Sequence, residues 1–211
     1  MSGNGALRLL YLRHGETDLN HEQRMQGVPG VELNDRGRQQ LDAAAERLVG
    51  EGVTHIVSSD LERARQSAAI VAERLELPFQ LDPRLREQDL GTREGESWPD
   101  LAEVVGEKDA DRFLTDADFS PPEGESKRSV LERTTACFEE IRADGDGKTV
   151  LAVSHGGPLL TFVYHVLGIP MTVRNRFYAG NGSLTEFTVF AGEWSLVTLN
   201  EIQHLRAAGL C

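Results

Sequence analysis

The sequence predicts a three-layer α/β/α sandwich built on a mainly parallel central sheet. Three observations carry this expectation. Short apolar runs that read as strands alternate with longer segments of helical periodicity. Two of the runs, Leu7–Leu12 and Val150–Ser154, are near-continuous in apolar residues, as strands covered on both faces are. Both end on a histidine followed by glycine, and such sheets hold their ligands beyond the carboxyl ends of the strands.

In order, Leu7–Leu12 forms the first strand and meets a loop at Arg13-His14-Gly15. Gly27, Pro29 and Gly30 punctuate a long connection. A helix begins near Asn34 or Asp35, carries Leu41, Ala44, Ala45, Leu48 and Val49 on one face, and ends at Gly50 and Gly52. His55–Ser59 is the second strand. Asp60 is the expected N-cap of a helix whose stripe is Leu61, Ala64, Ala68, Val71 and Leu75, with Pro78 beyond its end. Phe79–Leu81 reads as a third strand. From Arg84 to Glu125 periodicity is poor, and glycines and prolines are scattered through it. This stretch is expected to cross one edge of the sheet with short helices, residues of about 88–125 forming a lid. A helix with Val130, Cys137, Phe138 and Ile141 inward follows, then a turn at Asp144-Gly145-Asp146-Gly147. Pro158 suits the first turn of the helix after Val150–Ser154. Leu184–Val189 and Trp194–Leu199 close the chain as a hairpin around Ala191-Gly192.

The 211 residues, 39% apolar and 27% charged, suit one domain with one well-buried core. No apolar run approaches the roughly 18 residues that a membrane span needs. Met1 to Ala6 shows no basic stretch followed by an apolar one, so no secretory signal is read and the cytoplasm is the expected compartment. Cys137 and Cys211 stand apart from other candidate ligands, as two free thiols would. The net charge of −12 disfavours nucleic acid and anionic membranes as partners. An anionic substrate then requires a locally positive site. Small exposed strands near the C-terminus leave a homodimer open.

Arg13 and His14 end one strand, His155 ends another, and Ser58 and Ser59 end a third, with Arg63 one turn into the following helix. If the strands are parallel neighbours, two histidines and two arginines converge. Gly15, Gly156 and Gly157 are expected to leave the backbone open to a ligand. Arginine offers a planar fork matched to phosphate oxygens, and a neutral imidazole can attack phosphorus near neutrality. Phosphoryl transfer, which depends on positioning and positive clamps, is the chemistry that this set suits. His21, His55, His165 and His204 lack such company and read as structural. A metal is the rival use of two histidines, but no His-Glu-x-x-His helix is present. Neither a catalytic metal nor another cofactor is expected.

Several ordered segments resemble the histidine phosphatase superfamily, also called the phosphoglycerate mutase-like family. They are Leu12-Arg13-His14-Gly15-Glu16-Thr17 with Asn20, Arg24-Met25-Gln26-Gly27, Ser58-Ser59-Asp60-Leu61-x-Arg63-Ala64, Leu85-Arg86-Glu87-x-x-Leu90-Gly91, Glu123-Gly124-Glu125-Ser126 and Val153-Ser154-His155-Gly156-Gly157. The resemblance spans nearly the whole chain. It implies a phosphoglycerate mutase-like fold and His14 as a nucleophile that becomes a phosphohistidine. Arg13, Arg63 and His155 would hold the phosphoryl group and Asn20 would contact it. Gln26 and Gly27 would face the substrate, with Gly156 beside them. Glu87 would be the acid that protonates the leaving oxygen, a role that the residues alone do not single out.

Water then takes the phosphoryl group in a phosphatase; a second hydroxyl takes it in a mutase. Between Gln88 and Glu125 the cations are Arg93, Lys108 and Arg112, against carboxylates that include Asp89, Glu94, Glu96, Asp100, Glu103, Glu107, Asp109 and Asp111. An acidic lid disfavours a bisphosphorylated ligand. Glu87 also lacks the following Arg-His-Tyr typical of cofactor-dependent mutases. The expectation is therefore a phosphatase acting on phosphate monoesters of small metabolites. The alternative is a 2,3-bisphosphoglycerate-dependent phosphoglycerate mutase, and a third reading is a non-catalytic binder of phosphorylated ligands. Arg93 stands where many members of the family carry tryptophan. It reads equally as a pocket cation for a second acidic group and as a solvent-facing arginine.

Overall fold

The computed structural model describes residues 6–98, 103, 106–145, 147–174 and 176–211, with only the backbone described at 107 and 108. Most of the leader expectation at Met1 to Ala6, together with Pro99, Asp100, Asp146 and the side chains of Glu107 and Lys108, lies outside the described residues. Six strands form one sheet: β1 Arg8–Arg13, β2 His55–Ser58, β3 Phe79–Leu81, β4 Thr149–Ser154, β5 Leu184–Phe190 and β6 Glu193–Glu201. The described helices are α1 Asp18–His21, α2 Asp35–Leu48, α3 Glu62–Leu75, α4 Glu107–Thr115, α5 Lys127–Ala143, α6 Gly156–Val166 and α7 Gln203–Ala207. None is long and apolar enough to cross a membrane.

The sheet order is β3-β2-β4-β1-β5-β6. β1, β2, β3 and β4 run parallel, and the β5–β6 hairpin adds two antiparallel strands at one side. Side-chain alternation along β1 divides its apolar run between two layers. Leu9 and Tyr11 pack with Phe138 of α5 and Phe162 of α6. Leu10 and Leu12 pack with Leu41, Ala44 and Leu48 of α2 and Val71 of α3. The run is continuous because both faces are covered. β4, buried along its full length, lies between β1 and β2, so the ends of these three strands stand side by side.

One local expectation is corrected. Asp60 does not cap α3; its carboxylate pairs with Arg86 (Nε–Oδ1 2.7 Å), and Ser59 Oγ accepts from the Leu61 amide instead. The tertiary ion pair outcompetes the local cap. The excursion passes over the carboxyl edge of the sheet. Residues 94–98 are stitched to the loop after β1. Met25 N donates to Glu96 O at 2.7 Å and Trp98 N to Gln23 O at 3.0 Å. The Glu94 carboxylate accepts from the Gly27 and Val28 amides at 2.7 and 3.0 Å. A small core of Met25, Leu90, Ala110 and Phe113 lies beneath it. The segment thus crosses the carboxyl end of the sheet.

Gly15 was expected to open its backbone to a ligand, but it serves helix packing. A Cβ there would stand 2.5 Å from Gly37 O, and a Cβ on Gly37 would stand 2.1 Å from Glu16 O. The start of α2 therefore rests backbone to backbone on the residues after His14. Gly37→Ala should cost on the order of 1–3 kcal/mol, the range for overpacking a filled site, and should lower activity through displacement of His14. Urea melts beside steady-state rates check this; a variant with unchanged stability and rate would refute the packing role.

Candidate active site

His14 is 2% exposed and sits at the end of β1. Its Nδ1 is 2.7 Å from Gly15 O. A carbonyl only accepts, so Nδ1 carries the proton and Nε2 holds the lone pair. Arg63, wholly buried at the first turn of α3, donates from Nε to that Nε2 at 3.2 Å. Burial first, then the Arg63 and Arg13 charges, hold the His14 pKa well below 6.5. The ring is thus a neutral base with its lone pair facing positive charge.

Backbone carbonyls hold the arginines. Arg63 donates to Gly27 O at 2.7 Å and Pro29 O at 3.4 Å, and burial lowers its pKa to about 10, so it stays charged at neutrality. Arg13 donates to Ala179 O at 2.5 Å and stacks near Gly156. His155, at the end of β4, lies with its ring centroid 5.1 Å from that of His14. Its Nε2 meets Ser59 Oγ at 2.8 Å, and burial followed by the neighbouring Arg63 charge depresses its pKa too. Arg13 Nε, His155 Nδ1 and Gln26 Nε2 are buried with no protein partner. Such groups carry a desolvation cost that an anion in the site would offset.

A cavity of about 340 Å³ opens over His14. Arg13, Asn20, Gln26, Glu87 and Gly156 also line it. Asn20 gives its Oδ1 to Thr17 and to Asn181 Nδ2, which leaves its amide nitrogen for the cavity. Both carboxylate oxygens of Glu87 accept from the Gly157 amide at 3.1 Å, the N-terminal end of α6. Gly157 is needed there because a Cβ would meet Glu87 Oε1 at 2.1 Å. Its expected openness thus belongs to Glu87. Arg133 of α5 secures the same segment, donating to the carbonyls of Arg84, Arg86 and Glu87 at 2.7, 2.6 and 3.0 Å.

Two expectations at the site are corrected. Gly27 does not face the cavity: its amide is taken by Glu94 and its carbonyl by Arg63. Arg93 is no pocket cation either, because it pairs with Glu96 at 3.1 Å and Trp98 takes the place on the wall. The acidic character assigned to the lid does not reach the cavity. Glu94 turns inward onto amides, Asp111 pairs with Arg174, and Glu87 is the one carboxylate on the wall among the described residues. The sequence reading missed Asn181, whose Nδ2 donates to His14 O at 3.1 Å, and Tyr11, whose hydroxyl donates to His155 O at 2.8 Å. A lone hydroxyl inside the apolar run of β1 was the signal for Tyr11; Asn181, in an ordinary Gly-Asn-Gly turn, gave none.

Both histidines remain neutral in the folded protein where the unfolded chain protonates them. Stability should therefore fall as pH drops below about 6.5, by about 1.4 kcal/mol per pH unit for each, with no slope from them above it. Urea denaturation from pH 7.5 to 5 measures this. His14→Asn should remove its share of the slope, and an unchanged slope would contradict the neutral assignment.

A family model described as the histidine phosphatase superfamily (branch 1) matches residues 9–202. A probable phosphoglycerate mutase GpmB of Escherichia coli O1:K1 is 36% identical, covering 97% of each chain. A mycobacterial glucosyl-3-phosphoglycerate phosphatase, solved with VO3, superposes with a TM-score of 0.82 at 35% identity over 92% of this chain and 98% of that one. A phosphoserine phosphatase from Entamoeba histolytica, solved with 3-phosphoglyceric acid, gives 0.84 at 29% identity over 94% and 99%. With a neutral imidazole set between two arginines, and with these likenesses along nearly its full length, the chain belongs to the histidine phosphatase superfamily, branch 1.

Proposed function

We propose that this enzyme is a phosphatase that hydrolyses phosphate monoesters of small metabolites through a phosphohistidine on His14. The observation that carries it is the lone pair on His14 Nε2, aimed among the charged Arg13 and Arg63 and beside nitrogens that lack protein partners. Nε2 attacks phosphorus, and the ester P–O bond breaks. Arg13, Arg63 and His155 hold the three equatorial oxygens, where the transition state carries its charge. His155 Nδ1 has no protein partner, and the tautomer protonated there, with Nε2 accepting from the Ser59 hydroxyl, lets His155 donate to the phosphoryl group. Asn20 and Gln26 add amide donors from the wall. Glu87 gives its proton to the leaving oxygen. The resulting carboxylate then takes a proton from water as that water attacks the phosphohistidine, which frees phosphate and restores Nε2.

The names of the structural relatives are phosphatases, whereas the E. coli relative is named a probable mutase. A mutase grips a second anionic group on its ligand. Beyond Arg13, the cations on this cavity wall already have protein partners, which favours water as acceptor: Arg24 pairs with Glu22, and Lys127 donates to Leu114 O at 3.0 Å. The free thiols Cys137 and Cys211 suit the cytoplasm as its place of work.

His14→Ala should abolish phosphate release while leaving the melting curve cooperative. Supplied with 3-phosphoglycerate and 2,3-bisphosphoglycerate, the wild type should release phosphate and show little isomerisation; rapid isomerisation without phosphate release would make it a mutase. Glu87→Gln should lose roughly 10²–10⁴-fold on alkyl phosphates. It should lose far less on p-nitrophenyl phosphate, whose leaving group needs no proton. Equal losses on both would remove Glu87 from the acid role.

A further inference from the structure

Beyond the phosphoryl subsite the cavity changes character. Its outer wall is Trp98, Phe113, Leu114, Leu160, Met171 and Val173, from the lid, from α6 and from the segment after it. Two of these, Trp98 at 43% and Val173 at 40%, belong to the protein's exposed large hydrophobics. The polar side chains among them are turned into the protein. Thr161 Oγ1 donates to Pro158 O, Tyr164 OH to Arg174 O, and Gln88 Nε2 to Glu125 O. Arg24 is held by Glu22 and by Gly95 O. The Lys127 ammonium donates to Leu114 O, lies 5.7 Å from the centroid of Phe113, and is pulled toward its neutral form by burial. A carboxylate, sugar or second phosphate entering here would shed its water against mostly apolar side chains, while Arg24 and Lys127 already hold partners.

We infer that the outer chamber selects phosphate monoesters whose alcohol is apolar, an aromatic or branched alkyl group, over those of polyhydroxy or carboxylate-bearing alcohols. This deepens the phosphatase reading and rests on it. An apolar leaving group buries its surface against Trp98, Phe113 and Leu160 while the phosphate reaches His14. A phosphoglycerate would bury a charge on the same wall. Discrimination by a hydrophobic pocket of this kind is worth about tenfold or more in kcat/KM.

The test compares 2-phenylethyl phosphate with 3-phosphoglycerate, both esters of alkyl alcohols, so that leaving-group acidity contributes little to the difference. Phosphate release by the wild type should give a kcat/KM at least about tenfold higher for 2-phenylethyl phosphate. Met171→Arg should shrink or invert that ratio mainly through KM, and Leu160→Lys, from α6, should do the same. A ratio at or below one, with turnover that still requires His14, overturns the apolar assignment and leaves the phosphatase standing. A ratio that neither variant moves also overturns it. No phosphate from either ester overturns the hydrolytic reading, and this assignment with it.

Discussion

Two guanidinium groups, Arg63 fully buried and Arg13 half-buried, stand at the carboxyl end of this sheet beside a histidine that is kept neutral, and most of the molecule is arranged around that constraint. Neither Arg13 nor Arg63 has an ion-pair partner among the described residues; carbonyls of Gly27, Pro29 and Ala179 take their protons. Burying a charge in this way costs several kcal/mol per ion. The scaffold supports the cost with tightly covered strands and with carbonyls of two loops, Gly27 and Pro29 facing Arg63 and Ala179 facing Arg13. The same positive concentration depresses both histidines, and beside it Arg13 Nε and His155 Nδ1 stand buried without a protein partner. Folding cost and catalytic readiness are thus two aspects of one electrostatic arrangement.

The Glu87 segment shows how that field is balanced. Its carboxylate is the one negative group on the wall among the described residues, and it rests on the amide end of α6 rather than on an arginine. The helix terminus orients it with a weaker partial charge, and Arg133 fixes the backbone from behind. Gly157 supplies the space that makes this contact possible.

Much of this was legible in the sequence where local pattern and tertiary placement coincide. The doubly covered strands β1 and β4 announced themselves by continuous apolar runs, and their terminal histidines by position. Arg63 followed from its place one turn into α3. Glu87 came only from family resemblance, because its segment has no periodicity and many carboxylates. The failures share one cause. Asp60 has the right chemistry for a cap, yet an arginine 26 residues away claims it. Gly27 and Arg93 look toward the pocket in the sequence but are taken by Glu94 and Glu96. The partners of side chains in irregular segments are chosen by long-range contacts that no local pattern records.

The outer wall is built largely by different parts of the chain from those that do the chemistry. His14, His155 and the two arginines stand at the ends of β1 and β4 and on α3, whereas residues 94–98 join them through Glu94 and a few backbone bonds to the loop at residues 23–28. Such a molecule separates what it does from whom it does it to. Exchanging the lid's side chains can redirect the enzyme to a new alcohol without disturbing the machinery beneath.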